Sequence, residues 1–272
     1  MSYQSELFAT RELLANLTMR EVKGKYRRTV FGQLWSLINP LATMLVYTIV
    51  FSFIFQARPS VGDPSGLNIY PLWLMCGLLP WLFFTRVVTG GMSSIVANAG
   101  LIKKVYFPRM HLPLAIAGST GFTWLTEMAL LAVVLSIAGS FVLPWVPLVA
   151  VFMVLLALFA VGLAMLLAIA NVHFRDMQHF TAIGLQMWMY LTPIIYPIAL
   201  VESAAKTHGE WVLQVYKLNP LERFVTVFRS MMYDNRWPDL NDSLVCLGWG
   251  VGMFIVGYLV FSRNEKRLAE ML

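Results

Sequence analysis

Residues 147–170 read PLVAVFMVLLALFAVGLAMLLAIA, 24 consecutive positions without Asp, Glu, Lys or Arg. As a helix this stretch is about 36 Å long, at about 1.5 Å per residue, and a hydrocarbon core is about 30 Å thick. Five further apolar blocks flank it: Leu34 to Phe55, Tyr70 to Val88, Leu112 to Phe141, Phe180 to Ile198 and Leu244 to Ser262. Six transmembrane helices are therefore expected. Across the 272 residues 58% are hydrophobic and only 12% charged, about half the charged share of an ordinary soluble domain. That is too little charge to coat a water-facing surface, which decides against a large soluble core. Alternating barrel strands are absent, so the spans must be helices that satisfy their own backbone hydrogen bonds.

The whole chain, 1–272, reads as a single all-α transmembrane domain. Residues 1–33 form an amino-terminal interfacial segment, 34–198 hold spans one to five, 199–243 an outer segment, 244–262 span six and 263–272 a tail. Residues 1–33 are polar, so no cleavable signal peptide is expected. Leu7, Leu14 and Leu17 share a helical face that Arg11 and Glu21 interrupt, as in a helix lying at the interface. Spans three and four are joined only by the Leu143, Pro144, Trp145 turn and form a hairpin. Fourteen of the twenty Lys and Arg fall on the side holding both termini, so both termini are expected in the cytoplasm.

Two connections carry more pattern than a loop needs. In residues 89–111, apolar Leu101, Ile102, Val105 and Phe107 surround Lys103 and Lys104, which predicts a short amphipathic helix on the cytoplasmic face. Between Val201 and Asp242 the chain is too apolar for a solvated loop and too broken for a span. Re-entrant helices entering from outside before the last span are expected. Cys76 and Cys246 lie far apart in apolar segments, with neither CxxC spacing nor a His pair, and read as packing residues. No phosphate-binding loop, nucleophile elbow, HExxH or paired carboxylate occurs, so no catalytic residue, metal site or resident cofactor is assigned. The net charge of +6 sits between spans and serves topology and anionic headgroups; no nucleic-acid motif accompanies it.

From Lys25 the chain reads KYRRTVFGQLWSLINPLATMLVYTIVFSFIF. It is followed in order by NAGLIKKVYFPR at 98–109, NVHFRD at 171–176, LTPIIYP at 191–197 and LNP at 218–220. Together these resemble the membrane subunits of type-2 bacterial ABC polysaccharide exporters, which carry O-antigen, capsule, teichoic acid or galactan precursors. The resemblance implies a second copy of the chain around a central channel, two separate ATPase subunits that use ATP and magnesium, and a lipid-linked polysaccharide as cargo in the bacterial plasma membrane. It also implies that residues 98–109 form a coupling helix docked on the ATPase. Asn98 begins it, Leu101, Ile102, Val105 and Phe107 are its apolar anchors, and Lys103, Lys104 and Arg109 its polar rim. A type-2 exporter of small lipophilic drugs or lipids shares this architecture and is the alternative.

Within that frame Lys25, Arg27 and Arg28 serve positive-inside topology and are also placed to attract a pyrophosphate headgroup. Tyr47, Phe51 and Phe55 recur at i, i+4 and i+8 on one face of the first span. With Trp35 and Trp188 they are candidates for an aromatic path along which a glycan slides, against the alternative of belt or packing residues. Glu127 lies mid-span, where an ionised carboxylate costs about 2.5–3.5 kcal/mol to insert. A functional carboxylate, a protonated packing residue and an interhelical hydrogen bond are all open for it. Arg175 and Asp176 are candidates for an ion pair near a gate or merely at a helix end. Pro193 and Pro197 are expected to break the fifth span near its outer end.

Overall fold

The structure, a computed structural model, describes residues 10–25, 29–54 and 61–270, and all regular structure among them is helical. The apolar blocks become long helices because lipid offers the backbone no partners and the i to i−4 ladder supplies them all. In chain order the helices are α1 (Arg11–Lys25), α2 (Trp35–Tyr47, running on in π-helical form over Thr48–Ile54), α3 (Tyr70–Ala97), α4 (Ala99–Ile102) and α5 (His111–Ile137). There follow α6 (Val146–His173), α7 (Met177–Tyr190), α8 (Ile198–His208), α9 (Trp211–Leu218), α10 (Pro220–Arg229, ending in a π turn over Ser230–Asp234) and α11 (Leu240–Glu270). The chain is an all-α integral membrane protein. Among the described residues five helices are long and apolar enough to cross a bilayer: Leu37–Ile54, Tyr70–Ala97, His111–Ile137, Leu143–His173 and Leu240–Glu265.

The block at 180–198 departs from expectation. It gives α7, of 14 residues or about 21 Å, which ends in turns over residues 191–197. Pro193 has no N–H to continue the ladder and disfavours helical backbone at Thr192 before it. The chain then folds back through α8, α9 and α10. Pro220 opens α10, capped by Asn219, whose Oδ1 accepts the Leu221 N–H at 3.1 Å, a side-chain cap with proline at the first helical position. The second block, expected to end at Val88, continues to Ala97. The last helix likewise outruns its expected 244–262 at both ends.

α3 is the axis of the bundle and packs against α5, α6, α7 and α10. Its side chains stack into neighbours: Phe83 on Trp124 with centroids 4.0 Å apart, and Phe84 on Phe159 at 5.3 Å. The hairpin reading of spans three and four holds in that a short 3-10 turn, Leu143–Trp145, leads into α6, yet the main partner of α6 beyond α3 is α11. Those two helices touch backbone to backbone. A Cβ on Gly162 would overlap the Met253 carbonyl and lie 2.7 Å from Phe254 N, and one on Gly250 would lie 2.8 Å from the Leu155 carbonyl oxygen. Small residues permit such approach where packing and not water drives association.

α1 lies along the first half of α5. Thr10 Oγ1 is 3.2 Å from His111 Nε2, Thr18 packs over Gly118, and Lys25 Nζ donates to Thr123 Oγ1 at 3.2 Å. The order of these contacts makes the two helices parallel. α2 stands apart: 6% of its 18-residue apolar stretch is buried, against 78% for that of α3.

Candidate functional site

Three places gather the residues singled out by sequence. The first is the connection from α3 to α5. Instead of an amphipathic helix over 98–109 it forms the single turn α4, followed by turns and extended chain. Asn98 donates to the Ser94 carbonyl at 2.9 Å and accepts from Arg20 Nη2 at 2.8 Å. At the far end the Arg109 backbone N–H donates to Glu265 Oε1, and Arg109 Nη1 donates to the Glu265 carbonyl at 2.9 Å. The segment is thus braced by α1 at one end and α11 at the other. Of the expected apolar anchors, Ile102 and Phe107 are buried in their own chain and Leu101 is half-buried. The side chains turned outward are Lys103, Lys104, Val105, 54% exposed, and Tyr106, 78% exposed.

The second place is a polar cavity of about 640 Å³ between α1, α3 and α5, with Asn39 of α2 at its edge. Lys25, Arg86, Thr89, Thr120, Thr123 and Glu127 face it. Glu127 is 2% exposed and accepts from Arg86 Nη1 at 2.8 Å, while its Oε2 has no partner. A signal for this partner exists in the sequence: Arg86 interrupts an apolar block, and charges inside a membrane pair with one another. Counted only among the topological charges, Arg86 gives no hint of the pair. Burial, then the nearby Arg86 guanidinium, pull the Lys25 ammonium below the usual lysine range, with Glu127 opposing. Arg27 and Arg28, the other headgroup candidates, lie outside the described residues.

The third place is an aromatic column. Tyr47 stacks on Phe51 at 5.6 Å, Phe51 on Tyr70 at 5.5 Å, and Tyr70 leans on Trp73 at 5.7 Å. Phe55 lies outside the described residues. The column ends at Arg229, whose guanidinium carbon sits 3.5 Å from the centroid of the Trp73 ring. Arg229 is buried, and its Nη1 and Nη2 donate to the Pro193 and Ile194 carbonyls at 2.7 and 2.6 Å. The turn after α7 is thereby held by a cation from α10. Nothing in the sequence pattern singled out Arg229, which reads as one charge in an amphipathic run.

The sequence profile of the ABC-2 type transporter family matches residues 12–233. The chain belongs to that family. Among curated relatives, the O-antigen export system permease protein RfbA of Myxococcus xanthus is 28% identical over 267 residues, covering 98% of each chain. The RfbA protein of Klebsiella pneumoniae is 28% identical over 264 residues, covering 96% of this chain and 95% of its own. The capsule polysaccharide export inner-membrane protein CtrC of Neisseria meningitidis serogroup B is 26% identical over 272 residues, covering 93% of each. As an ABC-2 family member the chain is a transporter subunit and not an enzyme.

The remaining candidates of this ABC-2 subunit are scattered. Trp35 is half-buried and meets Phe31 edge-on at 5.5 Å. Trp188 is committed inward: its indole N–H donates to Asn219 at 2.8 Å, and its ring meets Phe84 and Phe159 edge-on. Arg175 and Asp176 are both exposed after α6, and no ion pair joins them, because at that turn both side chains reach solvent or headgroups more readily than each other. Pro193 lends its carbonyl to Arg229, and Pro197, extended at ψ 147°, precedes α8.

Proposed function

We propose that this ABC-2 family chain is the channel-forming subunit of an ATP-driven exporter that moves a lipid-linked polysaccharide outward across the bacterial plasma membrane. The observation that carries this reading is the near full-length similarity to permeases named for O-antigen and capsule polysaccharide export. The first span agrees with it: α2 buries almost nothing within its own chain, leaving Leu45, Val46, Ile49 and Phe53 exposed, while its half-buried Tyr47 and Phe51 continue the aromatic column of α3. Such a span suits the contact with a second copy and with a glycan, whose apolar C–H faces slide over aromatic planes. In this reading both termini are cytoplasmic, two ATPase subunits dock at residues 98–109, and ATP and magnesium belong to them. The carrier's pyrophosphate is received near Lys25, and its tail stays in the bilayer.

The test is complementation. A cell lacking its own export permease, supplied with this chain and its partner ATPase, should regain surface polysaccharide. Polymer retained inside despite correct membrane insertion would overturn the reading. One observation favours small lipophilic cargo instead: an apolar groove of about 790 Å³ runs between α1, α5 and α6, lined by Val22, Phe122 and Met153 among others. Dye efflux from the same cells separates the two, since a polysaccharide exporter should leave it unchanged.

A further inference from the structure

We propose that the polar cavity between α1, α3 and α5 is a phosphate-binding site, in which Lys25 and Arg86 hold the anion and Glu127 is the resting-state stand-in that releases Arg86 to it. Four observations carry this. The cavity is set deep: Arg86 lies eleven residues before the end of α3 at Ala97, about 16 Å along the helix. A space of about 640 Å³ lined by hydroxyls and charges is costly there unless something polar fills it.

The charge balance selects the sign of that occupant. Among the described residues that line it, Lys25 and Arg86 face Glu127, and the other carboxylate, Glu21, is bonded to Arg20 at 2.9 Å, which leaves one positive charge in excess among them. A metal cation would meet two cations already in place. An anion between them would relieve the mutual repulsion that, with burial, lowers the proton affinity of Lys25.

The donors are also in place. The Arg86 side chain is 34% exposed, and among the described residues only its Nη1 is bonded, to Glu127. The rest of its planar fork matches the spacing of phosphate oxygens. Thr120 of α5 adds a hydroxyl to the lining, while the Thr89 and Thr123 hydroxyls donate to the Thr85 and Ser119 carbonyls of their own helices. Finally, Glu127 is poorly anchored for a purely structural ion pair, since Oε2 is buried without a partner. Such a carboxylate competes weakly with a doubly charged group for a bidentate fork. The anion site stands on the cavity; its assignment to phosphate rests on the reading of pyrophosphate-linked cargo.

The experiment measures binding of farnesyl pyrophosphate, inorganic pyrophosphate and farnesol to the purified permease in complex with its ATPase. Farnesyl pyrophosphate is expected to bind and farnesol not. Lys25→Gln should weaken binding about tenfold, as loss of one charge-assisted contact implies. Glu127→Gln should tighten it about fivefold or more, because Arg86 is then free. Equal binding of inorganic pyrophosphate, with the same response to both substitutions, supports the site and assigns it to free anion instead of a lipid headgroup. If farnesyl pyrophosphate binds but neither substitution changes its affinity, the site is refuted while the cargo reading stands. If it does not bind at all the site is refuted too, and complementation decides the cargo reading separately. Should Glu127→Gln fail to fold, Lys25→Gln still decides, since unchanged affinity in that variant alone refutes the site.

Discussion

Replacing Gly162 by Ala puts two well-founded expectations in opposition. Helix propensity favours Ala over Gly by about 1 kcal/mol, and in an exposed helix the change would stabilise. At Gly162, however, the new methyl overlaps the Met253 carbonyl and lies 2.7 Å from Phe254 N. Backbone cannot swing aside as a side chain does, so α6 and α11 must part by about 0.7 Å or more to restore contact near 3.4 Å. A gap of about 0.5–1 Å forfeits a quarter to a half of each dispersion contact along the seam. Overpacking of this kind costs about 1–3 kcal/mol, and here it falls on the contact that joins α11 to the bundle. We expect a net loss of about 1 kcal/mol, the middle of the range of about 0–2 that remains after the propensity gain. Thermal unfolding of purified protein in a mild detergent reads the change, with Gly248→Ala on α11 as control because nothing lies within 4 Å of its added methyl. Gly257→Ala meets the reverse side of the same contact, so the double variant should lose less than the sum of the singles. If Gly162→Ala matched or exceeded the wild type while the control behaved as expected, the backbone contact between α6 and α11 would be wrong.

Other perturbations separate docking from packing. Val105→Asp with Tyr106→Asp should abolish copurification with the ATPase subunit at unchanged melting temperature, whereas Phe107→Ala, at a site 4% exposed, should cost about 3–5 kcal/mol of stability. Arg229→Lys keeps the charge but not the fork that spans two carbonyls. It is expected to lose about 2–3 kcal/mol, with faster proteolysis of residues 191–197 as the second readout. Asp234, outside the spans, is pushed up to about 6 by burial, with Arg236 and then Arg229 opposing. Its folded form holds a proton that the unfolded form releases near 3.8, so stability should fall as pH rises between those values. Asp234→Asn should flatten that part of the melting profile, and an unchanged slope would show that another group is responsible.

Much of this was legible in the sequence because lipid is a demanding solvent. Residues 147–170 admit one structure, and the blocks that became α3, α5 and α11 followed from length and composition. What escaped detection was decided by contacts between distant segments. α3 runs past Val88 because its last two turns pack on α5 and α6, which no local pattern reports. The block at 180–198 looked like a span by hydropathy, but the two prolines end its helix after 14 residues, and Arg229, 36 residues from Pro193, secures the turn. Glu127 seemed solitary because Arg86 lies 41 residues away and its charge had an adequate topological explanation. Phe107 and Val105 are indistinguishable as apolar letters; only the braced path of the chain puts one inside and the other outside.

The near-solitary α2 has a consequence for biosynthesis. Membrane helices insert first and associate afterwards, and a helix that buries almost nothing in its own chain gains little by joining the bundle early. The bundle around α3 can therefore close while α2 is still solvated only by lipid tails. For such a subunit, completing the tertiary fold and completing the assembly are separate events, and the second depends on how crowded the membrane is with its partners. A lone copy would carry its unfinished state on its surface, as an uncovered apolar face that cellular quality control can recognise before any channel exists to leak.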